Sequence, residues 1–384
     1  MALPAPSEDA LAHSRRLRDH LWERIAAAGG WISFAEFMAT ALYAPGLGYY
    51  AAGARKFGAA GDFVTAPEMT PLFGRALAAQ ATQVMAASAP AILEVGAGSG
   101  RLAADLLLAL AARDTLPERY AILDLSADLR ERQRQTLAAS CPALLPRVEW
   151  LDRLPERFAG LVLGNELLDA MPVHLLVWQG GEALEQGVRR EGEGFAWANR
   201  PLPACLTAAA GALERDFAPR DGYLAEVGLA AQAWAAAWGG ILESGTVLLV
   251  DYGFPRREFY HPQRGGGTLM CHYRHHAHGD PLWLPGLQDI TAHVEFTAVA
   301  AAAHGAGLEL QGYTSQGQFL LNCGILDQLA CLPATSADYI RGAGAVNKLI
   351  LPHEMGELFK VIAFGRGDGP GLLGFRRGDQ SHRL

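Results

Sequence analysis

The chain has 384 residues, 50% hydrophobic and 19% charged, with a formal net charge of -8. That balance gives a globular protein long enough for one large domain with insertions, or for two domains, and its acidity argues against a general nucleic-acid binder. No apolar run reaches the roughly 18 residues of a membrane span, and a start that mixes Glu8, Asp9, Arg15, Arg16 and Asp19 has no apolar secretion signal.

From residue 72 onward, apolar runs alternate with helical patterns. Residues 72–87, 101–112 and 127–139 read as helices, and residues 91–95, 120–125, 147–150 and 161–164 as strands. This alternation predicts a parallel sheet with right-handed crossovers. Residues 173–200 break the rhythm, with short apolar runs separated by Gly-Gly and by EGEG, the signature of β-hairpins. A helix is predicted over 224–242, a buried strand over 246–253, a helix over 292–303 and a strand over 308–314; residues 316–356 look helical, and 358–364 form a last strand. Residues 254–290 are rich in Pro, Gly and His and lack a period. Loops of that length are functional or disordered more often than simple connections.

These elements predict an α/β fold, a Rossmann-like doubly wound sheet of seven strands. Residues 1–71 form an N-terminal helical lid, and 72–366 the core, with insertions at about 173–222, 254–290 and 316–356. The glycine-rich tail, 367–384, reads as disordered.

The stretch ILEVGAGSGRL, 92–102, is a strand, a tight turn and the start of a helix, with glycines at Gly96, Gly98 and Gly100. Such a turn holds a nucleotide-like cofactor at the C-terminal edge of a parallel sheet, or simply allows close strand–helix packing. The dinucleotide fingerprint is G-x-G-x-x-G and seats a pyrophosphate. Here the pattern is E-x-G-x-G-x-G, and Glu94 would repel a diphosphate and suit a cation. S-adenosylmethionine (SAM), with its sulfonium and ammonium, fits that sign. Asp124 ends the next strand, 28 residues after Gly96, where a carboxylate can bind ribose hydroxyls or cap a helix. Asp152, past the third strand, is the candidate for the adenine amino group.

GNELLDAMPVH, 164–174, places Asn165, Glu166 and Asp169 past the fourth strand. They form either a polar turn or a substrate grip. Glu166 and Asp169, three apart, share a face if the segment turns helically, and two carboxylates can clamp a guanidinium or an ammonium. GDFVTAPEMTPLFG, 61–74, offers Thr65, Pro67 and Glu68 as helix caps or as a flap over the cofactor, and ALYAPGLGYY, 41–50, supplies aromatic and turn residues for such a lid. In GLQDITAHVEF, 286–296, Asp289 reads as an N-cap. His272, His275, His276 and His278 cluster without Cys or carboxylate in a familiar metal-ligand order, so no metal is expected. Five scattered cysteines without C-x-x-C fit a reducing cytoplasm.

The segments ALYAPGLGYY, GDFVTAPEMTPLFG, ILEVGAGSGRLAADLL, NELLDAMPVH, LLVDYGF, GLQDITAHVEF and QFLLNCGI, in this order, resemble the MidA-like SAM-dependent methyltransferases of bacteria and mitochondria. The resemblance implies a class I methyltransferase fold with an antiparallel last strand, and SAM as cofactor. It implies Glu94, Gly96, Gly98, Gly100 and Asp124 as the cofactor shell, with Asn165 and Glu166 facing the methyl group. The chain departs from the family in having Gly-Ala-Gly-Ser-Gly where relatives often have GPGRG, and Asp124 where they often have Glu. Both changes keep the chemistry. A protein acceptor follows from the resemblance, arginine first and a respiratory-complex subunit among the partners; a small-molecule acceptor and a SAM-binding assembly factor without turnover are the alternatives.

Overall fold

The structure, a computed structural model, describes residues 3–52, 65–367 and 371–384. Residues 61–64 of the flap motif, and 53–60 before it, lie outside the described residues.

Two helices open the chain, α1 (Glu8–Ala27) and α2 (Phe34–Tyr43). The core then alternates α3 (Pro71–Ala87), β1 (Ala91–Val95), α4 (Arg101–Ala111), β2 (Arg119–Leu123), α5 (Ala127–Ser140), β3 (Val148–Leu151) and β4 (Phe158–Asn165). After an excursion come α6 (Leu229–Ile241), β5 (Leu242–Phe254), α7 (Phe296–Gly305), β6 (Glu309–Ser315) and β7 (Phe359–Arg366). The strands run in the order β6-β7-β5-β4-β1-β2-β3, and a two-residue strand, Val294–Glu295, adds to β5. The pairs among β1 to β5 are parallel, and β7 is antiparallel to both its neighbours. This is the class I methyltransferase fold.

Alternation along each strand fills two cores. Ile92, Ile122, Leu163 and Val250 face α3, α4 and the helices of 316–350. Leu93, Leu123, Val162 and Leu249 face α6 and α7. Strand order reverses between β1 and β4, and open sheets bind ligands at the carboxyl ends of strands beside such a switch point.

The hairpin segment forms a second, antiparallel sheet. Its strands His174–Gln179 and Glu182–Glu191 are joined through Gly180 and Gly181, both at positive φ, as a two-residue turn demands. Leu224–Val227, predicted as helix, is a strand of this sheet, and α6 begins only at Leu229. Tertiary pairing overrides the helical propensity there. The lid expected over 1–71 is not a separate body. Leu17, Phe34, Phe37 and Leu42 share one core with Leu175 and Val188 of the second sheet and with Cys271 and Ile290. Those last two belong to a three-stranded sheet, Met270–Tyr273, His276–His278 and Asp289–Thr291, inside the aperiodic 254–290 segment.

The tail is a correction. Residues 371–384 are folded: Phe375 is buried against Phe319, ring centroids 5.4 Å apart, and Asn322 Nδ2 donates to Gly374 O and Arg377 O. Gly312 on β6 is the close approach that admits the ring, since a Cβ there would lie 2.3 Å from it. The glycine content read as disorder, but the apolar triplet Leu372, Leu373 and Phe375 has a core to enter. Phe375→Ala should destabilise the fold by about 3–5 kcal/mol, read as a lower midpoint in chemical denaturation; an unchanged midpoint would mean a free tail.

Candidate active site

β1 ends at Val95 and the chain turns on Gly96, Gly98 and Gly100, at φ 71°, 53° and 81°, left-handed positions that favour glycine. Space is also short: a Cβ on Gly100 would lie 2.9 Å from Gln133 Cα, and one on Gly96 3.3 Å from Leu167 Cδ1. Gly100 is the N-cap of α4, so the helix's first N–H groups open beside the loop. A cavity of about 580 Å³ opens there, over the carboxyl ends of the central strands.

Glu94 lies buried at the cavity floor, its Oε2 accepting from Tyr120 OH at 2.5 Å. Asp124 is also buried and lines the cavity; it accepts from the Ser126 N–H at 2.9 Å and from Gln133 Nε2 at 2.8 Å. Gln133 also donates to Gly98 O and accepts from Trp150 Nε1, so one buried amide ties the glycine loop to the second acid. Arg130 donates to Asp124 O and Leu151 O and pairs with Asp152 at 2.5 Å. Asp152 stands on the cavity rim with its side chain 89% exposed. The helix-cap role considered for Asp124 belongs to Ser126, which accepts from the Leu129 N–H.

Thr65, Pro67 and Glu68 line the cavity from a one-turn helix, Ala66–Met69. Thr65 makes no side-chain cap; Thr70 caps α3 by accepting from the Leu72 N–H. Glu68 accepts from Ser99 Oγ of the glycine loop.

The other wall of the cavity starts where β4 ends. Asn165 Nδ2 donates to Glu166 Oε1 at 3.2 Å. Glu166 sits at φ 50°, a left-handed position rare for a residue with a side chain. Asp251 explains how the turn holds: its Oδ2 accepts from the backbone N–H groups of Leu167, Leu168 and Asp169 at 3.0, 2.7 and 3.3 Å. Asp169 is buried; its Oδ2 accepts from Tyr252 OH at 2.5 Å, and the backbone N–H groups of Asp169 and Ala170 favour its anion. Tyr43, stacked on Tyr50 with centroids 5.5 Å apart, donates to Ala170 O, and Tyr50 donates to Asp289 Oδ1 at 2.9 Å. Asp289 is not an N-cap. It lies buried in its short strand and lines the cavity, and Glu295 caps α7 by accepting from the Ala298 N–H.

The carboxyl groups are shifted together. Burial raises Glu94 to about 7 against the Tyr120 hydrogen bond, and raises Glu166 to about 8 with help from Asp169. Burial lifts Asp169 to about 6, and burial with Asp169's charge raises Asp251, against the backbone N–H groups that favour its anion. Asp124 is raised by burial as well. A group of desolvated carboxyls lining one cavity is complementary to a cationic ligand. Among the described residues no His, Cys, Asp and Glu group is arranged to hold a metal ion.

Several residues that build the site carry little signal in the sequence. Gln133 had a signal, because Leu129, Gln133 and Leu137 repeat every fourth residue on the buried face of α5. Asp251 and Tyr252 follow directly on the apolar run of β5. The tyrosines of 41–50 were seen only as lid material, since their partners lie more than a hundred residues away.

Sheet order, glycine loop and acidic floor together define a class I methyltransferase. The residues fit its cofactor: side-chain-free loop positions over the strand ends, and cavity carboxyls that would suit its cationic groups. Residues 72–314 match the model of a family of S-adenosyl-L-methionine-dependent methyltransferases, and the chain belongs to that family, with S-adenosyl-L-methionine as cofactor. The chain is 52% identical to a Burkholderia thailandensis protein whose crystal structure is bound to S-adenosyl-homocysteine, with 100% of both chains covered and a TM-score of 0.96. It is 29% identical to the mitochondrial protein arginine methyltransferase NDUFAF7 of Danio rerio, over 91% of this chain and 87% of that one, and 29% identical to its Mus musculus counterpart, over 90% and 83%.

Glu94 and Glu166 hold protons in the folded protein at pH values where the unfolded chain has released them. Stability of the ligand-free protein is therefore greatest below about pH 4.5 as far as these two groups are concerned, and falls as pH rises toward 8. Thermal melts from pH 5 to 8.5 should show Tm falling for the wild type and a shallower fall for Glu166→Gln; equal slopes would refute the assignment.

Proposed function

We propose that this chain transfers a methyl group to a protein side chain, with arginine the first acceptor. The observation that carries this reading is the pair of carboxyls, Glu166 and Asp169, lining one cavity. The protein arginine methyltransferase names of the mitochondrial relatives support it, as does the cationic character of arginine. A respiratory-complex subunit as acceptor rests on the family resemblance alone. Five free thiols are consistent with a reducing cytoplasm, where we place the reaction. Among the described residues no helix is long and apolar enough to cross a membrane.

S-adenosyl-L-methionine supplies an electrophilic methyl group when bound. The chain supplies position. Asp251 fixes the turn that presents Glu166 and Asp169, and Tyr252 orients Asp169. Asn165 holds Glu166 from its own side. A guanidinium gripped by both carboxylates is held at one angle, which contributes much of the rate in a transfer between two bound partners. Glu166, once ionised, is placed to take the proton that the methylated nitrogen loses.

The test is incorporation of labelled methyl groups from S-adenosyl-L-methionine into cell lysate protein, with mass spectrometry locating the label. Label on arginine is the expected result. Glu166→Gln should cut transfer by about 10²- to 10⁴-fold while calorimetry shows cofactor affinity little changed. In the wild type, kcat/KM should climb with pH through a midpoint of about 8 as Glu166 ionises, and this limb should vanish in Glu166→Gln. Label confined to small molecules would overturn the protein-acceptor reading.

A further inference from the structure

We propose that Asp289 is a third carboxylate of the acceptor subsite, and that with the Tyr43–Tyr50 pair it selects a guanidinium over an ammonium. This rests on the arginine reading above and adds a residue outside the methyltransferase core strands.

Asp289 reaches the cavity by a route independent of β4. It begins the strand Asp289–Thr291, paired antiparallel with Met270–Tyr273, with His272 opposite Asp289 in register. The chain leaves that strand at Ala292, whose N–H donates to Asp169 O at 3.0 Å. Asp289 is thus tied to the same short turn that carries the catalytic candidates. Tyr50 OH donates to Asp289 Oδ1, Tyr50 stacks on Tyr43, and Tyr43 OH donates to Ala170 O, the residue after Asp169. Three segments distant in sequence, 43–50, 165–170 and 289–292, therefore close around one space, and Tyr43, Tyr50, Glu166, Asp169 and Asp289 all line it. The charge of Asp289 is felt by Glu166 across it.

The shape of the acid set decides between cations. An ammonium is a compact charge with three N–H groups on one centre, whereas a guanidinium spreads five over a plane. Carboxyls arriving from two directions, with flat tyrosine rings beside them, can meet two edges of a plane and stack on its face. On a single ammonium centre the same carboxyls would compete for one small volume.

The experiment uses two peptide pools with neutral randomised flanks, one with a central arginine and one with a central lysine, and labelled methyl transfer by the full chain. The wild type should label the arginine pool and leave the lysine pool at background. Asp289→Asn should raise the half-saturating concentration of arginine peptide by about 10- to 100-fold, with S-adenosyl-homocysteine affinity within about twofold by calorimetry. Tyr50→Phe removes one hydroxyl, leaves the ring, and should raise the same concentration by less. If Asp289→Asn does not fold, Tyr50→Phe decides alone: a raised value supports the proposal and an unchanged one overturns it. Wild-type behaviour of Asp289→Asn, or equal labelling of lysine, also overturns it. A wild type that binds cofactor and labels neither pool overturns the arginine reading itself, and this inference with it.

Discussion

A single carboxylate oxygen holds the turn after β4 in place. Oδ2 of Asp251 accepts from three consecutive backbone N–H groups, those of Leu167, Leu168 and Asp169. Those donors would otherwise be orphaned at the end of β4, and a buried orphan costs about 1–3 kcal/mol. With them satisfied, Glu166 can remain at its left-handed backbone angle and Asp169 keeps its place in the cavity wall. The parallel register that sets Val250 beside Asn165 puts Asp251 in position, so the site depends on the sheet as directly as on its own side chains.

The two halves of the site were legible to different degrees, for a physical reason. Cofactor-side residues sit at strand ends within one contiguous βαβ stretch, where glycine spacing and a terminal acid follow from local geometry. Glu94, Gly96, Gly98, Gly100 and Asp124 could be named from 92–124 alone, and all but Gly100 line the cavity. Acceptor-side residues come together only through tertiary pairing. Nothing near Asp289 in the sequence announces Tyr50, and the short strand that presents it has three residues, too few for a period to show. An acid ahead of an apolar run resembles an N-cap whether or not it serves as one. The same limit hid the order of residues 254–290, whose strands pair with each other rather than repeating a pattern.

The tail taught the converse. Its glycines at 367–378 resemble a linker, yet Phe375 fills a gap that Gly312 leaves on β6. Composition reports what a segment can do alone; it is silent on a vacancy elsewhere in the fold. The second sheet shows the opposite balance, because Gly180 and Gly181 specify their hairpin whatever surrounds them.

The core shared by the N-terminal helices, the second sheet and the 270–292 segment has a consequence for biosynthesis. Leu17, Leu21 and Phe37 share their core with Cys271 and Ile290, which are made only after most of the chain. At about 5–20 residues per second, the apolar stripes of α1 and α2 wait on the order of ten seconds or more before that core can close. Closing so long a loop is entropically costly and slow. Until Ile290 emerges, the apolar faces of α1 and α2 lack part of the core that covers them in the folded protein.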